Sequence, residues 1–253
     1  MAVKSMEAAN DQLAEPAAIE PAVNMDGMAR LARLLQLSDS TLPVGTFSFS
    51  NGLESAIQTG VVSDEETLQQ FVELVVHQAA TMDAVALLHA FRCANQKDYD
   101  GILAADQALW NRRVGSEQQL MLARMGKKLA ELCLKVGDFP LLRQWLADIN
   151  AGTTPGCYPI GQAMAYAHLG ASETEAFTVH QYGVASMLLS ASLRLMRIDH
   201  IATQKILFSI QQRLIQDYAT TSQRTLQEMS VFAPVFDVLV AHHTKAHVRL
   251  FMN

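Results

Sequence analysis

The 253-residue sequence predicts an all-α fold, a single helical domain of roughly eight to ten helices with mobile N- and C-terminal tails. Three observations support this prediction. Apolar residues recur at three- and four-residue spacing along most of the chain. Two Ser-x-x-Glu capping boxes, Ser63 with Glu66 and Ser172 with Glu175, mark helix starts. No segment combines apolar–polar alternation with the β-branched residues typical of strands.

Each predicted helix is bounded by residues that favour helix ends. The first, residues 28–37, stops at the run of turn formers 38–45. A second begins near Ser50 and ends at Gly60, because glycine suits the position just after a helix. The capping box at Ser63 opens a helix that continues, with a bend, to about residue 91. The remaining predicted helices span residues 99–110, 117–136, 141–149, 160–169, 174–197 and 202–220, and Pro234 starts a last short one.

The ends of the chain differ from its body. Residues 1–27 are rich in Ala, Glu and Pro and contain no aromatic residue, which predicts a disordered tail. Residues 28–233 form the predicted domain. The last six residues include Arg249, Leu250 and Phe251, and arginine and aromatic side chains are favoured anchors at interfaces. We therefore expect residues 234–253 to dock on a partner.

Composition limits the classes of partner. The formal net charge is −6, which argues against nucleic acid or an anionic membrane as the main partner. Half of the residues are hydrophobic and only 17% are charged, which favours a protein that buries part of its surface in a partner. The three cysteines lie far apart, which predicts free thiols in a reducing compartment. No uncharged apolar run of membrane-spanning length and no signal peptide is evident, so the cytoplasm is the expected location.

Catalytic motifs are absent from the sequence. It contains no G-x-x-x-x-G-K-[ST], no G-x-S-x-G and no H-E-x-x-H, so we predict no catalytic residues and no cofactor. The weak metal candidates are His242, His243 and His247, of which the last two are spaced to share one face of a helix. Two imidazoles alone make a weak site, and an exposed polar stretch in a flexible tail is the favoured interpretation. The other histidines are typical of surface or core positions: His77, His89, His168, His180 and His200.

The segment 42–54 places two aromatic residues between helix breakers. It is either an apolar staple beneath a turn between two helices or a preorganised binding loop. Residues 34–54, LLQLSDSTLPVGTFSFSNGLE, resemble the N-terminal signature of the urease accessory protein UreF family, LLQL-x-x-x-x-LPVG-x-[FY]-S-x-S-x-GLE. The motif residues in this loop are Leu42, Pro43, Gly45, Phe47, Ser48, Ser50 and Gly52.

The resemblance extends over residues 28–253. Residues 167–195 are similar to the long central helices of that family, and residues 234–251 resemble its C-terminal ending, with Asp237, His243, Arg249, Leu250 and Phe251 in place. The departures from the pattern are Thr244, His247, Arg197 and Asp199.

The resemblance implies an all-α, non-enzymatic assembly factor for nickel urease that forms a homodimer. Such a protein bridges the nickel-carrying GTPase UreG and the accessory protein UreD, also called UreH, which contacts apo-urease, and so helps to deliver Ni²⁺. It also implies that His243, Arg249, Leu250 and Phe251 order against UreD/UreH, and that Glu54 and Arg194 lie on the GTPase-facing side.

Two alternatives remain open at the level of sequence. The first is a direct nickel chaperone that uses the C-terminal histidines, whose imidazoles must be neutral to bind metal. The second is an all-α enzyme that acts on an apolar substrate, which would need an acidic run such as D-D-x-x-D; the sequence contains none.

Overall fold

The computed structural model describes residues 25–39, 42–45, 49–113, 115–230 and 250–251. Every regular element in these ranges is helical, which confirms the all-α prediction. With α3 and α4 counted as one bent helix, the described part of the chain holds ten helices, within the predicted range. The helices are α1 (Met25–Ser38), α2 (Leu53–Gln58), α3 (Glu65–Thr81), α4 (Asp83–Gln96), α5 (Tyr99–Arg112), α6 (Ser116–Val136), α7 (Pro140–Ala151), α8 (Tyr158–His168), α9 (Glu173–Leu195), α10 (His200–Gln211) and α11 (Leu214–Thr221), followed by a 3-10 turn at Leu226–Glu228.

One of the two predicted capping boxes is present in the structure and the other is replaced by a neighbouring pair. Ser172 and Glu175 form the predicted box at the start of α9. At α3 the box lies one residue later than predicted, because Asp64 is the N-cap and pairs with Thr67. The Asp64 carboxylate accepts a hydrogen bond from the Thr67 amide at 2.9 Å. The prediction that Ser63 caps α3 is therefore wrong.

Two long predicted helices are interrupted. The predicted bend after α3 is a break at Met82, which separates α3 from α4. The predicted helix 202–220 is divided into α10 and α11. Residues 25–27, placed in the N-terminal tail by the sequence, form the first turn of α1. Residues 1–24 and the helix predicted from Pro234 lie outside the described residues.

The larger of two main apolar clusters surrounds α4, which packs against α5 and α8. α4 is buried on nearly every face, as expected for a helix that is apolar all round. Taken together as Glu65–Gln96, α3 and α4 are long and apolar enough to cross a membrane by length and composition, but 83% of the most apolar window is buried inside the protein, like the core helix of a soluble protein. The cysteines Cys93, Cys133 and Cys157 are buried free thiols, as predicted.

The second cluster joins α2, α3, α9 and α10 and includes Phe251 from the end of the chain. α9 connects the two clusters. Phe177, near its start, belongs to the larger cluster, whereas Leu188 and Leu189 belong to the second. The second half of α9 therefore positions Arg194 beside the place where the C-terminal residues pack.

Candidate functional site

The candidate site begins at the sharp entry into α2. Asn51 and Gly52 both have positive φ, 53° and 79°, and Gly52 is the N-cap of the helix. This left-handed pair turns the chain so that the next residues face inward. Leu53, Glu54 and Ser55 are buried as a result.

Glu54 holds the last described residues of the chain through two backbone amides. One carboxylate oxygen accepts a hydrogen bond from the Leu250 amide at 2.7 Å, and the other accepts one from the Phe251 amide at 3.0 Å. The residue is only 3% exposed. Hydrogen bonds from neutral donors to an ionised carboxylate are stronger than neutral ones, so the two amides offset part of the cost of burying this charge.

Phe251 and Arg194 complete the contact. The Phe251 side chain is 5% exposed and belongs to the second apolar cluster. The Arg194 guanidinium carbon lies 4.3 Å from the centre of the Phe251 ring, which is a cation–π geometry. Leu250 points outward and is 64% exposed. We call Glu54, Arg194, Leu250 and Phe251 the C-terminal clamp.

The clamp joins residues that the resemblance assigns to two different partners. Glu54 and Arg194 were expected on the GTPase-facing side, and Leu250 and Phe251 on the UreD/UreH side, yet these four residues contact one another within one chain. Of the four, the buried Glu54 and Phe251 are turned away from solvent, whereas Arg194 and Leu250 are exposed. The assignments to partners stay predictions.

Other predicted site residues lie outside the described residues. They are Phe47 and Ser48 of the motif loop, the C-terminal Arg249, and the metal candidates His242, His243 and His247. Among the residues that the structure does describe, no group of three His, Cys, Asp or Glu side chains is arranged to hold a metal ion.

The described part of the motif loop packs against the body of the protein. Val44 and Ser50 are buried, and Phe49 packs against Met121 and Met125 of α6. Leu42, Pro43 and Gly45 line a cavity of about 730 Å³ that reaches α3, α6, α8 and α9. The loop thus has features of both readings that the sequence left open, since it packs on α6 and borders a cavity.

Four of the buried polar side chains that line this cavity, Asp83, Arg113, Gln162 and His180, form two interacting pairs. Asp83 and Arg113 form a buried ion pair. His180 Nδ1 lies 2.9 Å from the Gln162 side-chain oxygen, and the Gln162 amide nitrogen donates to the Tyr166 hydroxyl at 2.9 Å. Sequence reasoning missed this group. Its members come from α4, α8, α9 and the end of α5, with no motif spacing that links them.

The buried imidazole of His180 leads to a prediction about pH. Burial lowers its pKa from 6.5 to about 4. The unfolded chain therefore binds more protons than the folded protein between these two values, and the free energy of unfolding decreases as the pH falls from about 6.5 towards 4. Through His180, acidification across this range should lower the free energy of unfolding by about 3 kcal/mol, because each pKa unit corresponds to about 1.4 kcal/mol.

Urea unfolding of the wild type and His180→Gln from pH 4 to 8 measures this contribution. The variant should lose less stability on acidification than the wild type. A matched control, His200→Gln, removes an exposed imidazole and should retain the wild-type steepness. Parallel curves for the wild type and His180→Gln would contradict a neutral buried His180.

Comparison with known proteins identifies the family. Residues 62–211, more than half of the chain, match the family model of UreF. The chain belongs to the UreF family. Proteins named urease accessory protein UreF from Yersinia enterocolitica serotype O:8, Yersinia pseudotuberculosis serotype I and Yersinia pestis strain Pestoides F are each 47% identical to it over 223 residues, which covers 88% of this chain and 98% of each relative. The UreF resemblance read from residues 34–54 is confirmed by a match over most of the sequence.

Proposed function

We propose that this protein is a non-enzymatic assembly factor of urease maturation in the cytoplasm. It bridges a nickel-carrying GTPase and a UreD/UreH-like protein, so that Ni²⁺ reaches apo-urease as cargo. Membership of the UreF family supports a role in urease maturation. The observation that carries the bridging role is the C-terminal clamp, because residues expected to serve each partner share one contact.

The clamp gives each residue a distinct part in this proposal. Arg194 and Leu250 are the exposed members of the clamp. Glu54 is a positioning residue, because its carboxylate holds the backbone that presents Leu250. A partner that binds the C-terminal residues in this position stabilises Arg194 above Phe251, and a partner that binds Arg194 stabilises the docked end of the chain. Such reciprocity is what coupling between two binding sites requires.

Exposed apolar side chains on α10 and α11 support self-association. Ile201, Phe208 and Ile215 on α10 and α11 are 68%, 69% and 83% exposed. Apolar surface of this kind often marks an interface between proteins. A homodimer would place two clamps in one particle and could hold two copies of the GTPase in a fixed geometry, through which it would regulate GTP hydrolysis.

Co-expression with the GTPase and the UreD/UreH-like protein tests the proposal. Size exclusion with light scattering should give a complex whose mass fits two copies of each protein. A chain that stays monomeric and binds neither partner would contradict the proposal.

The variant Glu54→Gln tests the clamp within that complex. The substitution replaces one acceptor oxygen with an amide NH₂ group. This group faces a backbone N–H donor and cannot accept its hydrogen bond. We expect the affinity for the UreD/UreH-like protein to fall at least tenfold, and the affinity for the GTPase to fall as well, while the circular dichroism spectrum is retained. Glu65→Gln, at an exposed glutamate of α3, is the matched control. If Glu54→Gln and Glu65→Gln bind the two partners with equal affinity, the role of the clamp is contradicted. The bridging role itself is tested separately by the mass of the co-expressed complex.

A further inference from the structure

α6 presents a positively charged face in a protein whose net charge is negative. Arg124, Lys127, Lys128, Glu131 and Lys135 recur at spacings of one, three and four residues, so they lie on one side of the helix. All five are exposed or half-buried, whereas the apolar side of α6 packs into the core. Four cations and one carboxylate give this side a net charge of +3, so the rest of the chain, whose total is −6, sums to −9. We call these five residues the α6 basic face.

The single carboxylate of the α6 basic face lies in a surplus of positive charge. Lys128 donates a hydrogen bond to Glu131 at 2.9 Å. This hydrogen bond, together with the charges of Lys128, Lys127 and Lys135, lowers the pKa of the Glu131 carboxyl. One carboxylate cannot neutralise four cations, and like charges at this spacing repel one another. The α6 basic face therefore favours contact with a negatively charged group.

The charge of the remaining chain favours an acidic polypeptide as that group. Nucleic acid and anionic lipid surfaces are extended polyanions, and the charge of −9 carried by the other residues repels them. A short acidic segment can contact the α6 basic face alone. Leu120 and Val136, at the two ends of α6, are 46% and 60% exposed and offer contacts for aliphatic side chains.

Residues 1–24 have the composition that such a segment requires. They contain four carboxylates and one cation, Lys4, a net side-chain charge of −3 that is opposite in sign to the α6 basic face. Aliphatic residues such as Leu13 and Ile19 lie between the carboxylates. The carboxylates are those of Glu7, Asp11, Glu15 and Glu20.

The α6 basic face is within reach of this segment. The segment precedes Met25, where α1 begins, and Leu37 of α1 lines one small surface pocket together with Leu132 and Val136 of α6. A stretch of 24 residues extends to at most about 80 Å, whereas a domain of this length has a radius of gyration of about 18 Å. Because the segment is tethered to the domain, its effective concentration at such a face is in the millimolar range, which is enough for a weak contact.

We propose that residues 1–24 dock on the α6 basic face of their own chain and so screen it from acidic partners. Lysine ammonium groups are point charges on flexible stems, so several pairings with the carboxylates can hold the segment. Individual charge pairs at a surface are weak and are screened by salt, so the contact should depend strongly on ionic strength. It uses no residue of the C-terminal clamp.

A nitroxide label at Ala14→Cys tests this contact in the full-length protein. The three native cysteines are buried, so the reagent modifies the introduced thiol. The label broadens the NMR signals of nearby amides, and at low salt we expect the amides of Lys127 and Lys128 to lose more than half of their signal. The signals should recover when the salt is raised from about 50 mM to about 500 mM, because the Debye length falls from roughly 14 Å to roughly 4 Å.

Two sets of charge changes provide matched controls. The labelled segment with Gln or Asn in place of its four carboxylates has the same length and label but no negative charge, and the signals of α6 should be retained. Replacing Lys127, Lys128 and Lys135 with Gln should have the same effect. Replacing Arg197 and Lys205, exposed cations that lie outside α6, with Gln should leave the broadening on α6 unchanged.

A mixing experiment distinguishes a contact within one chain from a contact between copies. Isotope-labelled protein without the nitroxide is mixed with nitroxide-labelled protein without the isotope, and its α6 signals should be retained. The proposal is overturned if they are lost in this mixture, or if the label leaves α6 unaffected in the directly labelled protein. Equal broadening by the charged and the neutralised segment would also overturn it, because the contact would then not depend on charge.

Discussion

Replacing Gly126 with alanine should destabilise the protein by about 3 kcal/mol or more, because the new methyl group would collide with backbone. Gly126 lies on α6, where a Cβ would be 2.0 Å from the carbonyl oxygen of Gly156 and 3.0 Å from the carbonyl carbon of Cys157. Flexible side chains can yield to such a contact, but these atoms belong to the connection between α7 and α8. Either α6 or that connection must move.

A matched substitution isolates the collision from the effect of alanine on helix stability. Gly183 lies within α9, and a Cβ there meets no atom within 4 Å. Gly183→Ala should leave the protein unchanged or stabilise it by about 0.5–1 kcal/mol, since alanine favours a helix interior over glycine. Urea unfolding followed by circular dichroism gives both values. Similar free energies of unfolding for the two variants would mean that α6 does not approach the α7–α8 connection as closely as described.

Local patterns predicted the helices well but not all of their limits. The segment after Gly60 contains both Ser-x-x-Glu and, one residue later, Asp-x-x-Thr, and either can form a capping box. The protein uses the second, Asp64 with Thr67. A bend in this helix was predicted, but no local motif fixes its position at Met82. The next residue, Asp83, pairs with Arg113 thirty positions away, a tertiary contact that no periodicity reveals.

The candidate site was only partly predictable because it also depends on tertiary contacts. A family pattern drew attention to Glu54, Arg194, Leu250 and Phe251 separately. The hydrogen bond between Glu54 and Leu250 spans 196 positions of sequence. Helical spacing reports neighbours on one helix, so it could not show that these residues share a contact. His180 was one isolated histidine among several until the fold placed it beside the Asp83–Arg113 pair.

Removing the carboxylate of Asp106 should destabilise the protein as strongly as the collision at Gly126. Asp106 on α5 is fully buried and accepts four hydrogen bonds. They come from the Trp145 indole at 3.0 Å, the Thr154 hydroxyl at 2.7 Å, the Gly156 amide at 3.0 Å and the Cys157 amide at 2.8 Å. Asp106→Ala leaves all four donors unsatisfied and should cost about 4 kcal/mol, since each buried donor that loses its partner costs about 1–3 kcal/mol.

Asp106→Asn should lower the free energy of unfolding less, by about 2 kcal/mol. The asparagine oxygen can keep up to three of the hydrogen bonds, while its amide NH₂ group faces the remaining donor. The control Asp138→Asn removes a carboxylate whose ion pair with Arg143 lies at the surface, with side-chain exposures of 75% and 62%. Its effect should stay below about 1 kcal/mol. Urea unfolding orders the three variants. An Asp106→Ala protein as stable as Asp138→Asn would contradict the anchoring role of Asp106.

The losses of stability caused by Gly126→Ala and Asp106→Ala should also be coupled. Asp106 holds the Gly156 and Cys157 amides, and the Gly156 carbonyl is the atom that a methyl group on Gly126 would strike. In Asp106→Ala the connection between α7 and α8 is no longer held by the carboxylate and can withdraw from α6. The double variant should therefore be destabilised by at least about 1 kcal/mol less than the sum of the single changes, as expected for residues that share a partner. Strict additivity would mean that something other than Asp106 fixes the Gly156 carbonyl.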